Sequence, residues 1–128
     1  AIASHPRFTV SSYEISRPEF SYTYDTLRLL RETQFSNAQL ILLVGGDWSH
    51  KIPTWKEGAR LLDEFETAVF SRPGAAPPLQ GKNIRSVAMP LIGISSSMIR
   101  DRIRKGLSIH YFTPPPVRRY IEDHGLYR

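Results

Sequence analysis

The 128-residue chain contains no cysteine, which excludes a disulfide framework, a zinc ribbon, a thiol redox centre and a cysteine nucleophile. Long hydrophobic runs are missing as well. The longest, Leu40 to Val44, is far too short to cross a bilayer, and no basic-then-apolar leader opens the chain. The four histidines, His5, His50, His110 and His124, lack H-E-x-x-H or any paired spacing, so no metal site is expected. The patterns G-x-S-x-G, G-x-G-x-x-G and G-x-x-x-x-G-K-[ST] do not occur, leaving a hydrolase triad, a dinucleotide fingerprint and a P-loop without support. Nor does the chain begin with Met. Ala1-Ile2-Ala3 reads as the tail of a helix, so a preceding piece is expected.

What is present is the balance of an ordinary soluble domain with one compact core: 41% hydrophobic and 23% charged residues. A cytoplasmic protein is the default. Lys+Arg number 17 against Asp+Glu 12, a formal net charge of +5. Most of the excess lies at the end of the chain. From Met98 to Arg128, Arg100, Arg102, Arg104, Lys105, Arg118, Arg119 and Arg128 outnumber Asp101, Glu122 and Asp123 by four. Either an anionic partner or the solvated basic faces of ordinary helices accounts for that bias.

Along the chain, Phe8-Thr9-Val10 through Tyr13-Glu14-Ile15 is rich in β-branched and aromatic residues and predicts an extended segment or short strand. Ser21-Tyr22-Thr23 offers hydroxyl caps for a helix with Asp25 in its first turn, an apolar face of Leu27, Leu29 and Leu30, and an end near Thr33. Leu40 to Val44, closed by Gly45-Gly46-Asp47, predicts a strand buried on both faces of a parallel sheet. Thr54-Trp55-Lys56-Glu57 opens a second helix that fades near Phe65. Thr67 to Phe70 is the next strand, stopped by Arg72-Pro73-Gly74, and Ala75 to Lys82 is a Pro/Gly/Ala loop expected to be mobile. A third strand runs from Ile84 to Met89. Ser95-Ser96-Ser97 then caps a helix carrying Ile99 and Ile103, which Gly106 ends, and Val117, Tyr120 and Ile121 form the apolar face of a last helix before Gly125 and Leu126. This alternation predicts an α/β fold, a Rossmann-like parallel sheet flanked by helices, with ligands beyond the carboxyl ends of its strands.

Four constellations bear on chemistry. At Gly93-Ile94-Ser95-Ser96-Ser97-Met98-Ile99-Arg100, a strand end, a hydroxyl cluster and a helix start place free N–H groups at the positive end of a helix dipole. Ser96 and Arg100 share a face, so a phosphate site and a plain N-cap with a surface arginine are both open. In Gly45-Gly46-Asp47, the carboxylate either accepts ribose hydroxyls or caps the segment that follows. Trp48 and Trp55 bracket one loop, and Trp55 beside Thr54 and Lys56 is either a stacking platform for a heteroaromatic ring or a core or hinge residue. Ser21-Tyr22-Thr23 either receives a small carboxylate on its backbone N–H groups or caps its helix.

Read together and in order, these motifs resemble those of the bacterial nicotinate-nucleotide adenylyltransferases of the nucleotidylyltransferase superfamily. Ser21-Tyr22-Thr23-Tyr24-Asp25-Thr26-Leu27 is similar to the family's S-Y-T-x-x-T-L helix start, and Gly45-Gly46-Asp47 with Pro53-Thr54-Trp55-Lys56 to its G-x-D…W segment. Ser71-Arg72-Pro73-Gly74 is similar to its R-P-G strand end, and Ile94-Ser95-Ser96-Ser97-Met98-Ile99-Arg100 to its I-S-[ST]-x-x-I-R signature. Pro115-Pro116-Val117 to Tyr120-Ile121 and His124-Gly125-Leu126-Tyr127 resemble the family's close, so the likeness runs over nearly the whole chain.

The resemblance implies adenylyl transfer from ATP to nicotinate mononucleotide, giving deamido-NAD and pyrophosphate with Mg²⁺. It assigns Ser95, Ser96, Ser97 and Arg100 to the ATP phosphates, Gly45 and Asp47 to the nucleotide side of the ATP site, and Tyr22, Thr23 and Trp55 to the mononucleotide. No protein metal ligand is assigned, homo-oligomerisation is left open, and neither nucleic acid nor a membrane is an expected partner. The family's opening G-x-F-x-P-x-H-x-G-H motif has no counterpart here, so the catalytic residues are not identified. Residues 1–128 are therefore expected to be a single partial nucleotidylyltransferase domain, its sheet lacking the first strands, with 95–128 as a C-terminal helical segment. Alone it is expected to be inactive. The alternative is a non-enzymatic basic module that binds nucleotides or nucleic acid.

Overall fold

A computed structural model describes residues 2, 5–71, 79–90 and 92–128. The chain divides into two compact units, Ser11–Leu91 and Ala1–Val10 with Ile92–Arg128. The Arg72-Pro73-Gly74 strand end, the first half of the Ala75–Lys82 loop and most of Ala1-Ile2-Ala3 lie outside the described residues. Among those described, no helix is long and apolar enough to cross a membrane.

The first unit carries the expected parallel sheet. Strands β1 (Ile41–Gly45), β2 (Glu66–Ser71) and β3 (Ile84–Ala88) lie in the order β1-β2-β3, with Val44 opposite Val69 and Val69 opposite Ser86. Its helices are α1 (Thr23–Thr33), the four-residue α2 (Gly46–Ser49) and α3 (Gly58–Glu64). Side chains alternate across a strand, so Leu40, Leu42 and Val44 face one way, where Tyr24 of α1, Ile52, Leu61 of α3 and Phe65 form the core. Burying an aliphatic side chain such as Leu61 or Ile52, neither of which is exposed at all, contributes about 1.5–3 kcal/mol. The expectation that β1 is covered on both faces fails at Leu43. It points the other way and is 65% exposed.

Two further expectations are corrected here. Of the extended segment or short strand expected over Phe8 to Ile15, the strand alternative fails, because no other strand pairs with it. Tyr13 to Ser16 instead make a turn in which Ser16 N–H donates to Ser12 O at 3.0 Å, and Ile15 is 86% exposed. The second helix does not open at Thr54. Ile52–Thr54 form one 3₁₀ turn containing Pro53, Glu57 takes a left-handed φ of 55°, and only then does α3 begin. The cause is close packing at Gly58: a Cβ there would lie 2.0 Å from the Ile52 carbonyl oxygen.

The second unit carries α4 (Ser96–Arg104) and α5 (Pro115–Asp123). Both helices end in the same way. After α4, Leu107 N–H donates to Arg102 O at 2.8 Å and Gly106 N–H to Ile103 O at 3.0 Å. After α5, Leu126 N–H donates to Ile121 O at 3.0 Å and Gly125 N–H to Glu122 O at 3.2 Å. These are paired Schellman closures, and they use the positive φ of Gly106 and Gly125, +68° and +58°. On α5, Ile121 is buried and Val117 half-buried as expected. Tyr120 is not in that face: it is 58% exposed and stacks on His124 at 4.0 Å.

Candidate functional site

The serine cluster is built as a helix start. Ser95 stands in an extended conformation before α4, and its Oγ accepts from Met98 N–H at 3.1 Å. The N–H groups of Ser96 and Ser97 precede the first possible intrahelical bond and remain directed out of the helix end. Arg100, one turn on, donates from Nη2 to Ser97 Oγ at 3.1 Å, so its guanidinium is folded back towards that end. Ser96 and Arg100 line one cleft of about 190 Å³, together with Ile99, Thr113, Val117, Ile121 and Tyr127. The shared face read from their spacing is therefore real. Thr113 was not legible as part of it: its Oγ1 is buried without a hydrogen-bond partner, and only the fold brings it to α4.

The Tyr22 and Trp55 segments meet in the other unit. Tyr22 precedes α1 in an extended conformation, but no side chain caps the helix, so the hydroxyl cap expected there is absent. That leaves the N–H groups of the first turn free. Tyr24, two residues on, is a buried member of the core against which Trp55 packs, half-buried. Trp55 is thus partly the core residue that its type implies, and partly open. Lys56, its neighbour, joins the two segments: its Nζ lies 3.0 Å from Asp25 Oδ2 and 4.3 Å from the centre of the Tyr22 ring. Hydrogen bonding to Asp25 raises the Lys56 pKa above the usual lysine value, so the ammonium stays charged. No motif singles out Lys56 for this contact, which spans 31 residues.

Gly45 closes β1 and Gly46 begins α2 directly, so Asp47 sits in a helical first turn, exposed, and does not cap it. Gly45 follows Val44, another member of the same core, which ties this turn, the Tyr22 segment and Trp55 to one packed cluster. Ser49, unread in the sequence, anchors the turn. It is fully buried, donates to Gly46 O at 2.9 Å and accepts from Leu79 N–H at 3.3 Å. Trp48 is 57% exposed, with Lys51 Nζ 4.2 Å from its ring centre.

Among the described residues, no three His, Asp or Glu side chains converge to hold a cation. Several basic residues near the end of the chain are engaged locally. Arg102 donates to Ser108 O at 2.9 Å, Lys105 pairs with Asp101 at 2.7 Å, and Arg118 lies 4.0 Å from Glu122.

A parallel sheet flanked by helices, with a glycine turn at the carboxyl end of its first strand, defines an α/β protein of the Rossmann-like class. The family model described as cytidylyltransferase-like matches residues 1–102. The chain belongs to that family and, within it, to the nicotinate-nucleotide adenylyltransferases. It is 44% identical over 130 residues to a probable nicotinate-nucleotide adenylyltransferase of Thermus thermophilus, covering 100% of this chain and 68% of the relative. A probable nicotinate-nucleotide adenylyltransferase of Roseiflexus sp. is 42% identical over 137 residues, with the same coverage, 100% and 68%. The fold is also that of the Plasmodium falciparum nicotinic acid mononucleotide adenylyltransferase complexed with APC, at a TM-score of 0.69 and 24% identity, covering 86% of this chain and 60% of that one.

Proposed function

We propose that the protein transfers the adenylyl group of ATP to nicotinate mononucleotide, releasing pyrophosphate and forming deamido-NAD, in the cytoplasm. In this reading residues 1–128 belong to one nucleotidylyltransferase domain. A phosphate oxygen of the mononucleotide attacks the α-phosphorus of ATP, and the bond from that phosphorus to the pyrophosphate oxygen breaks. Such a transfer requires in-line positioning and neutralisation of charge more than covalent help from the protein.

The observation that carries the reading is the helix start at Ser95. Its two free N–H groups and the guanidinium of Arg100, held 3.1 Å from Ser97 Oγ, form a cationic end suited to phosphate oxygens. Ser95, Ser96, Ser97 and Arg100 hold the ATP phosphates, and Gly45 and Asp47 the nucleotide side. Tyr22, Thr23 and Trp55 take the mononucleotide, with the free N–H groups of α1 facing its carboxylate. A divalent cation, Mg²⁺ in this reading, would supply charge neutralisation to the triphosphate when bound. Among the described residues, none form a cage for it. The test is product formation by the full-length protein from ATP and nicotinate mononucleotide, followed by chromatography. Deamido-NAD and pyrophosphate are expected in equal amounts. Binding of single-stranded DNA that falls steeply with salt, without any product, would instead establish a basic binding module.

A further inference from the structure

We propose that Lys56 sets the preference of the pyridine site for an acid over an amide, by masking the Asp25 carboxylate in the first turn of α1. The proposal rests on the nicotinate reading above and deepens it.

Asp25 is the third residue of α1, and the free N–H groups of that turn make it a favourable place for a fixed anion. The same carboxylate works against recognition of a second one. An incoming nicotinate beside Tyr22 and Thr23 meets a negative charge three residues from the first of them, whereas the neutral amide meets only a dipole. Lys56 resolves the conflict. Its ammonium lies 3.0 Å from Asp25 Oδ2 and on the face of the Tyr22 ring, 4.3 Å from its centre. It therefore stands between the anion and the side chain assigned to the substrate. Among the described residues, Asp25 has no other ion-pair partner. Arg17 and Arg28 line a neighbouring cleft with it, but Arg17 donates to Tyr13 Oη at 2.8 Å and Arg28 to Glu32 at 2.9 Å.

A structural role alone explains little of this arrangement. Lys56 and Asp25 are 48% and 39% exposed, and half-exposed pairs add little to folding stability. Their charges still act on a ligand bound against them, where water is displaced and screening falls.

The test measures kcat/KM of the full-length protein for nicotinate mononucleotide and for nicotinamide mononucleotide at saturating ATP. Wild type is expected to favour the acid. Lys56→Met should lower the acid-to-amide ratio by roughly three- to tenfold, the size of a partly screened charge effect, and Lys56→Arg should retain most of it. Asp25→Asn should raise the ratio, because the ammonium is then free for the substrate. The double variant Asp25→Asn/Lys56→Met should lie closer to wild type than Lys56→Met, since no anion remains to be masked. A loss that strikes both pyridines by the same factor, or an Asp25→Asn ratio at or below wild type, overturns the proposal while leaving the activity standing. A wild-type protein that adenylylates neither pyridine overturns the nicotinate reading, and this inference with it.

Discussion

Tyr24 donates its hydroxyl hydrogen to Glu64 Oε1 at 2.9 Å, joining α1 to the end of α3 across 40 residues of chain. The same carboxylate accepts from Arg31 at 3.0 Å and from Arg60 at 3.1 Å. Arg31 also lies over the Phe65 ring and Arg60 over the Tyr24 ring, at 4.6 and 4.9 Å. One acidic side chain therefore fixes the helix that follows Tyr22 against the helix that follows Trp55.

The hydrogen bonds from Tyr24 and Arg31 hold the Glu64 carboxyl below the usual carboxylate range, against the opposing effect of its partial burial. A depressed folded-state pKa stabilises the fold above the unfolded value, and that contribution is lost as pH falls through the folded one. Glu64→Gln should therefore be less stable than wild type at about pH 7, with the gap narrowing towards about pH 3. Urea denaturation at both pH values checks this. A gap of constant size would show that the carboxylate's charge is not what stabilises the junction.

Gly58→Ala should destabilise the protein by at least about 1–3 kcal/mol, the usual cost of forcing an extra carbon into a packed site. The added methyl meets the Ile52 carbonyl oxygen, which is backbone and can move only with the whole 3₁₀ turn. Trp55 and Lys56 should shift with it. Thermal melting measures the first effect, and a raised KM for the mononucleotide the second. An unchanged melting temperature would mean that the turn relaxes freely.

Ser95 and Arg100 should separate in their effects. Ser95→Ala removes the Met98 cap, a loss of about 1 kcal/mol in stability. Arg100→Ala removes one exposed hydrogen bond to Ser97 and should move melting little, while sharply raising KM for ATP. A large drop in melting temperature with normal ATP kinetics would make Arg100 a structural residue.

Trp55 calls for two substitutions, because it packs on the core as well as bordering the site. Trp55→Ala should lower stability and raise KM for the mononucleotide. Trp55→Phe should keep most of the packing, so any remaining rise in KM reports the ring. Equal changes in KM for ATP and mononucleotide would point to a displaced loop.

The parts of the fold legible in the sequence were those written in local chemistry. One continuous apolar run, Leu40 to Val44, and two shorter stretches, Thr67 to Phe70 and Ile84 to Met89, marked the strands, and the positive-φ glycines at 106 and 125 marked two helix ends. The misreadings came from long-range packing. Thr54 has the composition of a helix opening, but the contact of Gly58 with Ile52 postpones the helix. Tyr13 to Ile15 have strand propensity and no strand to pair with. Leu43 and Tyr120 belong to apolar patterns whose far side is left exposed. In the candidate site, the Ser95 cap was legible because it spans three residues. Lys56, Ser49 and Thr113 were not: Lys56 meets Asp25 and Ser49 meets Leu79 across 30 or more residues, and Thr113 is set by burial alone.

The matching ends of α4 and α5 bear on the orientation of everything after them. A helix advances by about a hundred degrees with each residue. Were the stop at Gly106 displaced by a single position, the chain leaving α4 would depart in a different direction, and Ile109 would swing out of the interior it now fills. Gly106 and Gly125 act as punctuation whose placement decides how the following phrase is read.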